Sequence, residues 1–293
     1  SHVNNADGGI AIGVYAKAGY AMSYATAIGA ESYSNSTWGT ALGYQARTEG
    51  GYGATALGVR SYATQDAALA IGNQANAGAA QTIATGFLAN ATKQYAVAIG
   101  SGPNNKEDST RADGVGAIAL GGNGVKGAQA AGDNAVSIAG QSTASGANAI
   151  AIGRKSTASQ TSAIALGDSG TASGAQAIAI GENSLASGTN STAIGFGAKA
   201  QNSYDYAAGT QAHALSGKSI ALGYQAYADS KRDVNNPNDL SSAIAIGANA
   251  SAIAEAGGNE AIAIGQNTIA KKSGIAIGYK ANAPQNGAIA MGW

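Results

Sequence analysis

The chain has 16 Asp and Glu, 16 Lys and Arg, 2 His and no Cys, so any chemistry must come from carboxylates, amines, hydroxyls and phenols. General acid–base work on sugars or esters needs two carboxylates, or a carboxylate and an imidazole, gathered on one face. The acids here concentrate in two interrupted segments and otherwise scatter among turns, as Glu31, Asp168 and Glu182 do. His2 and His213 do not sit beside a plausible nucleophile partner in sequence, and His213, at an outward position of its repeat, reads as a solvated surface residue. A calcium-loading glycine repeat needs an Asp in each turn, whereas the single run Gly121-Gly122-Asn123-Gly124-Val125-Lys126 puts Lys in that place. No catalytic, cofactor-binding or metal-ligating residue is therefore assigned. The balanced charge offers no basic face for nucleic acid. Arg154, Lys155, Lys126, Lys199 and Lys218 read as solubilising charges, with a stripe for polyanions as the alternative.

Recognition chemistry is better represented. Tyr15, Tyr20, Tyr24, Tyr33, Tyr44, Tyr52 and Tyr62 crowd the start of the chain together with Trp38. Tyr and Trp anchor binding surfaces, so these eight residues form a candidate ligand face. The competing reading is that amphipathic rings cover the edges of a narrow fold. Two polar interruptions, near 101–113 and 224–242, supply candidate loop contacts at Lys106, Arg111, Tyr227, Lys231 and Arg232. A row of Thr143, Thr157 and Thr171 would suit an ice-binding face, but it breaks at Leu185, Lys199 and His213.

What positions these side chains is a repeat. Closing glycines fall at 153, 167, 181, 195, 209 and 223, a constant spacing of 14. So short a period cannot hold a helical unit and predicts a parallel β-solenoid of two-stranded coils. Counting from a closing Gly, positions +3 and +5 are small (Ser156, Ala158) and +4 and +6 are polar (Thr157, Ser159), the alternation of a half-buried strand. Glycines at +7 (Gly146, Gly174, Gly188) are expected to make turns at positive φ. Near the start the spacing slips to 16 and 15, and the extra residues are expected in turns. Ala139 stands where a closing Gly is due.

The second strand of each coil, typified by Ala149-Ile150-Ala151-Ile152, is apolar on both faces. A lumen that admits little beyond Ala and Ser cannot also take the branched residues, which must then form an exposed apolar ladder unless copies of the chain cover it. The expectation is an obligate homo-oligomer with Ile150, Ile152, Ile164, Leu166, Ile178, Ile180, Ile194, Ile220 and Leu222 in the shared core.

The repeated AIAIG resembles the head domain of YadA-like trimeric autotransporter adhesins, whose repeat runs Asn-Ser-Val-Ala-Ile-Gly-x-x-Ser. Similar copies are Asn148 to Ser156, which departs at its second and third positions, and Asn190 to Ala198. The resemblance implies a left-handed parallel β-roll, homotrimeric, and one head domain over 1–293. It also implies an adhesive role toward matrix proteins such as collagen or fibronectin, host receptors or other cells. The location it implies is the bacterial cell surface, outer membrane-anchored through a stalk and anchor beyond this fragment. The alternatives from other classes are a carbohydrate-active β-solenoid enzyme and a purely structural spacer.

Overall fold

The computed structural model describes residues 2–3, 8–19, 24–231, 241–255 and 260–292, and these contain strands and turns but no helix. They divide into two compact units, Ser1–Lys155 and Ser156–Trp293. Each unit is a parallel β-solenoid in which every coil contributes one outer strand, mostly of two residues, and one inner strand, mostly of three. In the second unit Thr157–Ala158 pairs with Thr171–Ala172, and Ile164–Leu166 pairs with Ile178–Ile180 in strict 14-residue register. The first unit repeats this, as in Asn76↔Asn90 and Leu69↔Ile83. A slip of one residue would turn the Ile row into the lumen and the Ala row out, so the alternation itself fixes the register.

The lumen is filled with methyl-sized groups. Ala149, Ala151, Ala158, Ala163 and Ala165 are fully buried, and the largest side chains with no exposure are Thr48, Thr82, Thr110 and Thr268. Ser at +3 is there for a reason beyond size. Its hydroxyl donates to the carbonyl of the closing Gly, at 2.8 Å from Ser32 to Gly29 and from Ser184 to Gly181, so the buried polar atom is satisfied.

Three positions per coil take positive φ, and they explain the punctuation. In one coil they are Gly181 (φ 128), Asn183 (φ 55) and Asn190 (φ 56). Each also sends its N–H to the preceding coil, to Leu166 O (2.8 Å), Asp168 O (2.9 Å) and Ala175 O (2.9 Å), so the ladder runs through the turns. Only Gly reaches φ 128 without strain, and a Cβ at Gly181 would lie 2.5 Å from Gly195 O. Ala139 does occupy a closing position, at φ 91, and donates to Leu120 O at 2.8 Å.

Several expectations need correction. Gly174 and Gly188 are not at positive φ. They are small because the next coil's backbone crowds them, Gly188 in one case and Asn202 in the other. The extra residue between Gly43 and Gly58 is not in a simple turn. It lengthens the strand Arg47–Tyr52, whose pairing with Tyr33–Thr37 shifts register between Asn35 and Thr37, the mark of a β-bulge. The interruption near 101–113 is shorter than expected, because Arg111–Ala112 is an outer strand in register with Asn90 and Gln129. The segment before it is tied down by Gly127, which donates to Asp108 O at 2.6 Å. In the second interruption Tyr227–Asp229 is likewise a ladder strand, paired with Ser251–Ile253, and residues 232–240 lie outside the described residues.

Candidate functional site

The alternation that buries Ser and Ala leaves two rows of side chains standing on either side of the +3 position. One row is at +2, on the left-handed turn residue, and the other is at +4, on the outer strand. Between them lies a shallow groove. In the first unit its walls from Gly13 onward are Tyr15, Glu31 and Gln45 at +2, and Lys17, Tyr33, Arg47 and Tyr62 at +4, enclosing about 540 Å³. Farther along the same unit, Gln74, Asn76, Leu88 and Asn90, with Lys106 and Arg111, line another stretch between these rows. In the second unit the groove is lined by Gln211 and Gln225 on one side and Lys199, His213 and Tyr227 on the other, with Phe196 at its edge.

Ladder stacking fixes the walls. Arg60 Nε donates to Gln45 Oε1 (2.9 Å) and Gln45 Nε2 donates to Glu31 Oε2 (2.6 Å), a relay of side chains one coil apart. On the facing wall the Arg47 guanidinium lies 5.4 Å from the Tyr33 ring centroid and pairs with Glu49 at 2.5 Å. Asn76 Nδ2 donates to Asn90 Oδ1 at 2.7 Å, and Gln225 Nε2 to Gln211 Oε1 at 2.8 Å. His213 and Tyr227 have ring centroids 6.3 Å apart. Burial, and then the Lys199 ammonium, hold His213 below the ordinary imidazole value. Burial, and then the Asp229 carboxylate accepting from its hydroxyl, push the Tyr227 phenol up.

The aromatic residues of the first coils do not form one face. Tyr15, Tyr33 and Tyr62 share the groove. Trp38 and Tyr52 pack against each other at the far end of the outer strand, with centroids 5.9 Å apart and ring planes tilted by 48°. Tyr44 sits at +1 under Arg60, at 6.0 Å. Tyr24 lies against Gly8, where a Cβ would meet its ring at 2.7 Å, and Tyr20 lies outside the described residues. Lys17, Glu31, Gln45 and Arg47 were not singled out from sequence, although their +2 and +4 numbering places them beside the Tyr residues. Of the loop contacts, Arg111 and Tyr227 prove to be groove residues on ladder strands. Lys106 is exposed at the edge of the groove stretch that Arg111 lines, Lys231 is exposed, and Arg232 lies outside the described residues.

The inner strands present the other outward surface. In the first unit Ile12, Leu42, Leu57, Ile99 and Ile152 form one row, and in the second Ile194, Leu222 and Ile277 do, while Ile220 is exposed one position pair earlier. Ile152 is 37% exposed and Leu222 43%. Ile150, Ile164, Leu166, Ile178 and Ile180 are half-buried by neighbouring rungs and point out of the lumen as well.

Among the described residues no three His, Cys, Asp or Glu side chains gather as a metal would require. One carboxylate is deeply buried. Asp205 replaces the lumenal Ala of other coils and accepts from Asn202 N (2.8 Å) and Ser219 N (3.0 Å). Loss of solvation pushes its carboxyl up, against the opposing pull of those N–H groups.

No curated protein matches the chain. Protein-family comparison matches the YadA head domain repeat (2 copies) at residues 39–61, 50–75, 77–102, 144–169, 172–198, 200–229 and 271–293. Those segments cover more than half of the sequence and fall in both units. With its 14-residue coils, its stacked closing glycines and its outward Ile rows, the chain belongs to the YadA head family.

Proposed function

We propose that this chain is the adhesive head of a trimeric autotransporter, assembled as a homotrimer through the outward rows of its inner strands. The observation that carries the reading is the run of branched side chains with about two fifths of their surface in water. Removing the remaining exposure of one such residue contributes roughly 0.6–1.2 kcal/mol, taking the usual 1.5–3 kcal/mol for a whole side chain. Summed over the rungs of three chains, this favours a permanent assembly. Its expected setting is the bacterial surface, held to the outer membrane by segments outside this sequence, and 1–293 serves as one head.

Adhesion follows from geometry as much as from any single contact. A regular solenoid holds its outward rows at fixed spacing, and threefold repetition turns weak sites into avid ones. Matrix proteins, host receptors and other cells are the partner classes that fit. The groove of the first coils has Glu31 as the carboxylate in its lining, which suits holding a ligand better than hydrolysing one. The test is solution mass by light scattering. A mass three times 28.4 kDa supports the assembly, and a stable monodisperse monomer overturns it.

A further inference from the structure

We infer that the groove between Tyr15 and Tyr62 holds a linear sulfated polysaccharide lying along the solenoid axis, a ligand class that rests on the adhesive reading and narrows it. The argument begins with the order of the +4 row: Lys17, Tyr33, Arg47, Tyr62, a cation and an aromatic ring in turn. Strands in a sheet lie about 4.8 Å apart, so the two rings are about 10 Å apart, as are the two cations. A sugar chain presents the matching alternation, with flat C–H faces for stacking on rings and charged substituents for cations at regular intervals. A folded protein surface has no such period, whereas an extended polymer does.

The facing wall supplies what a glycan needs next. Arg60, Gln45 and Glu31 are already hydrogen-bonded to one another, so their remaining donors and acceptors are held in place before a ligand arrives. The charges favour an anion. Lys17, Arg47 and Arg60 outnumber Glu31 and Glu49, and with Arg47 and Glu49 paired to each other and Glu31 hydrogen-bonded to Gln45, the surplus positive charge comes from Lys17 and Arg60. Arg47 lies 5.4 Å from the Tyr33 ring centroid, so cation and ring stand side by side on this wall. Sulfate and uronate oxygens both accept from such a fork and both stay charged at physiological pH, and a sulfated polysaccharide presents the two at regular intervals.

Access is compatible with assembly. The groove opens on the outer strands, whereas the apolar rows leave from the inner strands of the same coils, so trimerisation through the latter leaves three grooves free. The next two coils of the first unit carry Asn76 and Asn90 at +4, so the alternation of cation and ring breaks after Tyr62.

The experiment measures binding of the 1–293 chain to size-defined heparin oligosaccharides, with neutral dextran and gelatin as the other probes, at low and raised salt. Binding of heparin but not dextran is expected, weakening steeply with salt. The double change Tyr33→Ala with Tyr62→Ala should weaken it about tenfold or more, and Arg47→Gln should weaken it several-fold with a shallower salt dependence. Lys93→Gln, an exposed cation outside the groove, should change nothing. Thermal melts of each variant establish that the coils remain folded. No heparin binding, equal binding by the groove variants, or gelatin as the ligand lost in those variants would each overturn the assignment. Adhesion to an immobilised matrix protein, measured alongside, separates the two readings. If it persists without heparin binding, only the glycan assignment fails, and if both are absent the adhesive reading fails with it.

Discussion

Replacing Gly181 by Ala should unlatch the solenoid at one place and leave the rest closed. The backbone there sits at φ 128, a region that costs an L-residue about 1–3 kcal/mol. The new methyl would also lie 2.5 Å from Gly195 O, so the two coils must part. Parting them weakens two ladder bonds, Gly195 N to Ile180 O (2.7 Å) and Gly197 N to Glu182 O (2.9 Å), worth about 1 kcal/mol each. Against this, Ala lowers the entropy of the unfolded chain and returns about 0.5–1 kcal/mol. The net loss is about 2–4.5 kcal/mol. At 1.4 kcal/mol per tenfold, amide exchange in Ile178–Ile180 and Thr192–Ile194 should accelerate between about 30-fold and 1,600-fold. Coils couple to their neighbours only, so exchange in Leu69–Ile71 of the first unit should stay unchanged. Hydrogen–deuterium exchange read by mass spectrometry resolves these segments. Unaltered exchange around Gly181, or an equal acceleration in both units, would refute the reasoning. The converse change is available at Ala139, where φ 91 already strains a non-glycine residue. Ala139→Gly should slow local exchange by several-fold.

Three further outcomes are expected. Ile152→Ser together with Ile194→Ser, in the two outward rows, should lower the mass of the proposed trimer by light scattering at dilution while each coil keeps its strand signal in circular dichroism. Ala177→Leu places three extra carbons where the neighbouring lumen holds Ala and Ser, and should cost about 3 kcal/mol in a denaturant titration; a loss below about 1 kcal/mol would mean the lumen is roomier than its contents indicate. Asp205 gives a pH dependence of definite sign. Its folded carboxyl binds its proton more tightly than the unfolded one, whose reference value is 3.8, so its stabilising contribution is complete below that pH. That contribution then fades as pH rises through the raised folded value. Asp205→Ala should flatten this slope in melting temperature against pH, and a wild-type profile that rises more steeply than the variant's over this range would contradict the assignment.

Much of the coil was legible because its signals are categorical. A Gly every 14 residues, Ala and Ser at alternate positions and Ile on the opposite face permit few arrangements, and the pairing Ala165↔Ala179 with Leu166↔Ile180 follows them rung by rung. The glycines at +7 were misread because positive φ and tight approach both call for Gly, and sequence does not tell them apart. Positive φ proved to sit on Asn183, Gln211 and Lys218 instead, where the ladder bond through the turn outweighs the steric cost. The groove was missed for a different reason. Tyr residues were grouped by density along the chain, although spatial neighbours in a solenoid share a position number. Tyr33 is beside Arg47 and Tyr62, one and two coils on, whereas Trp38, nearer in sequence, faces Tyr52 across another row. Arg111 and Tyr227 looked like loop residues because the spacing lapses around them, yet Arg111 restarts an outer strand in phase and Tyr227 continues one.

The in-register ladder also has a mechanical meaning. Tension along the axis of a unit loads the hydrogen bonds between coils end on, and because each coil grips only its neighbours the outermost one yields first. A peeled coil changes from a single 4.8 Å step to 14 residues of extended chain, about 48 Å. A cell tugging on such a head would thus pay out slack one loop at a time while the coils beneath stay wound. With cores of Ala and Ser and no Cys to pair in a disulfide, a slackened loop has its own register to recover before it winds back.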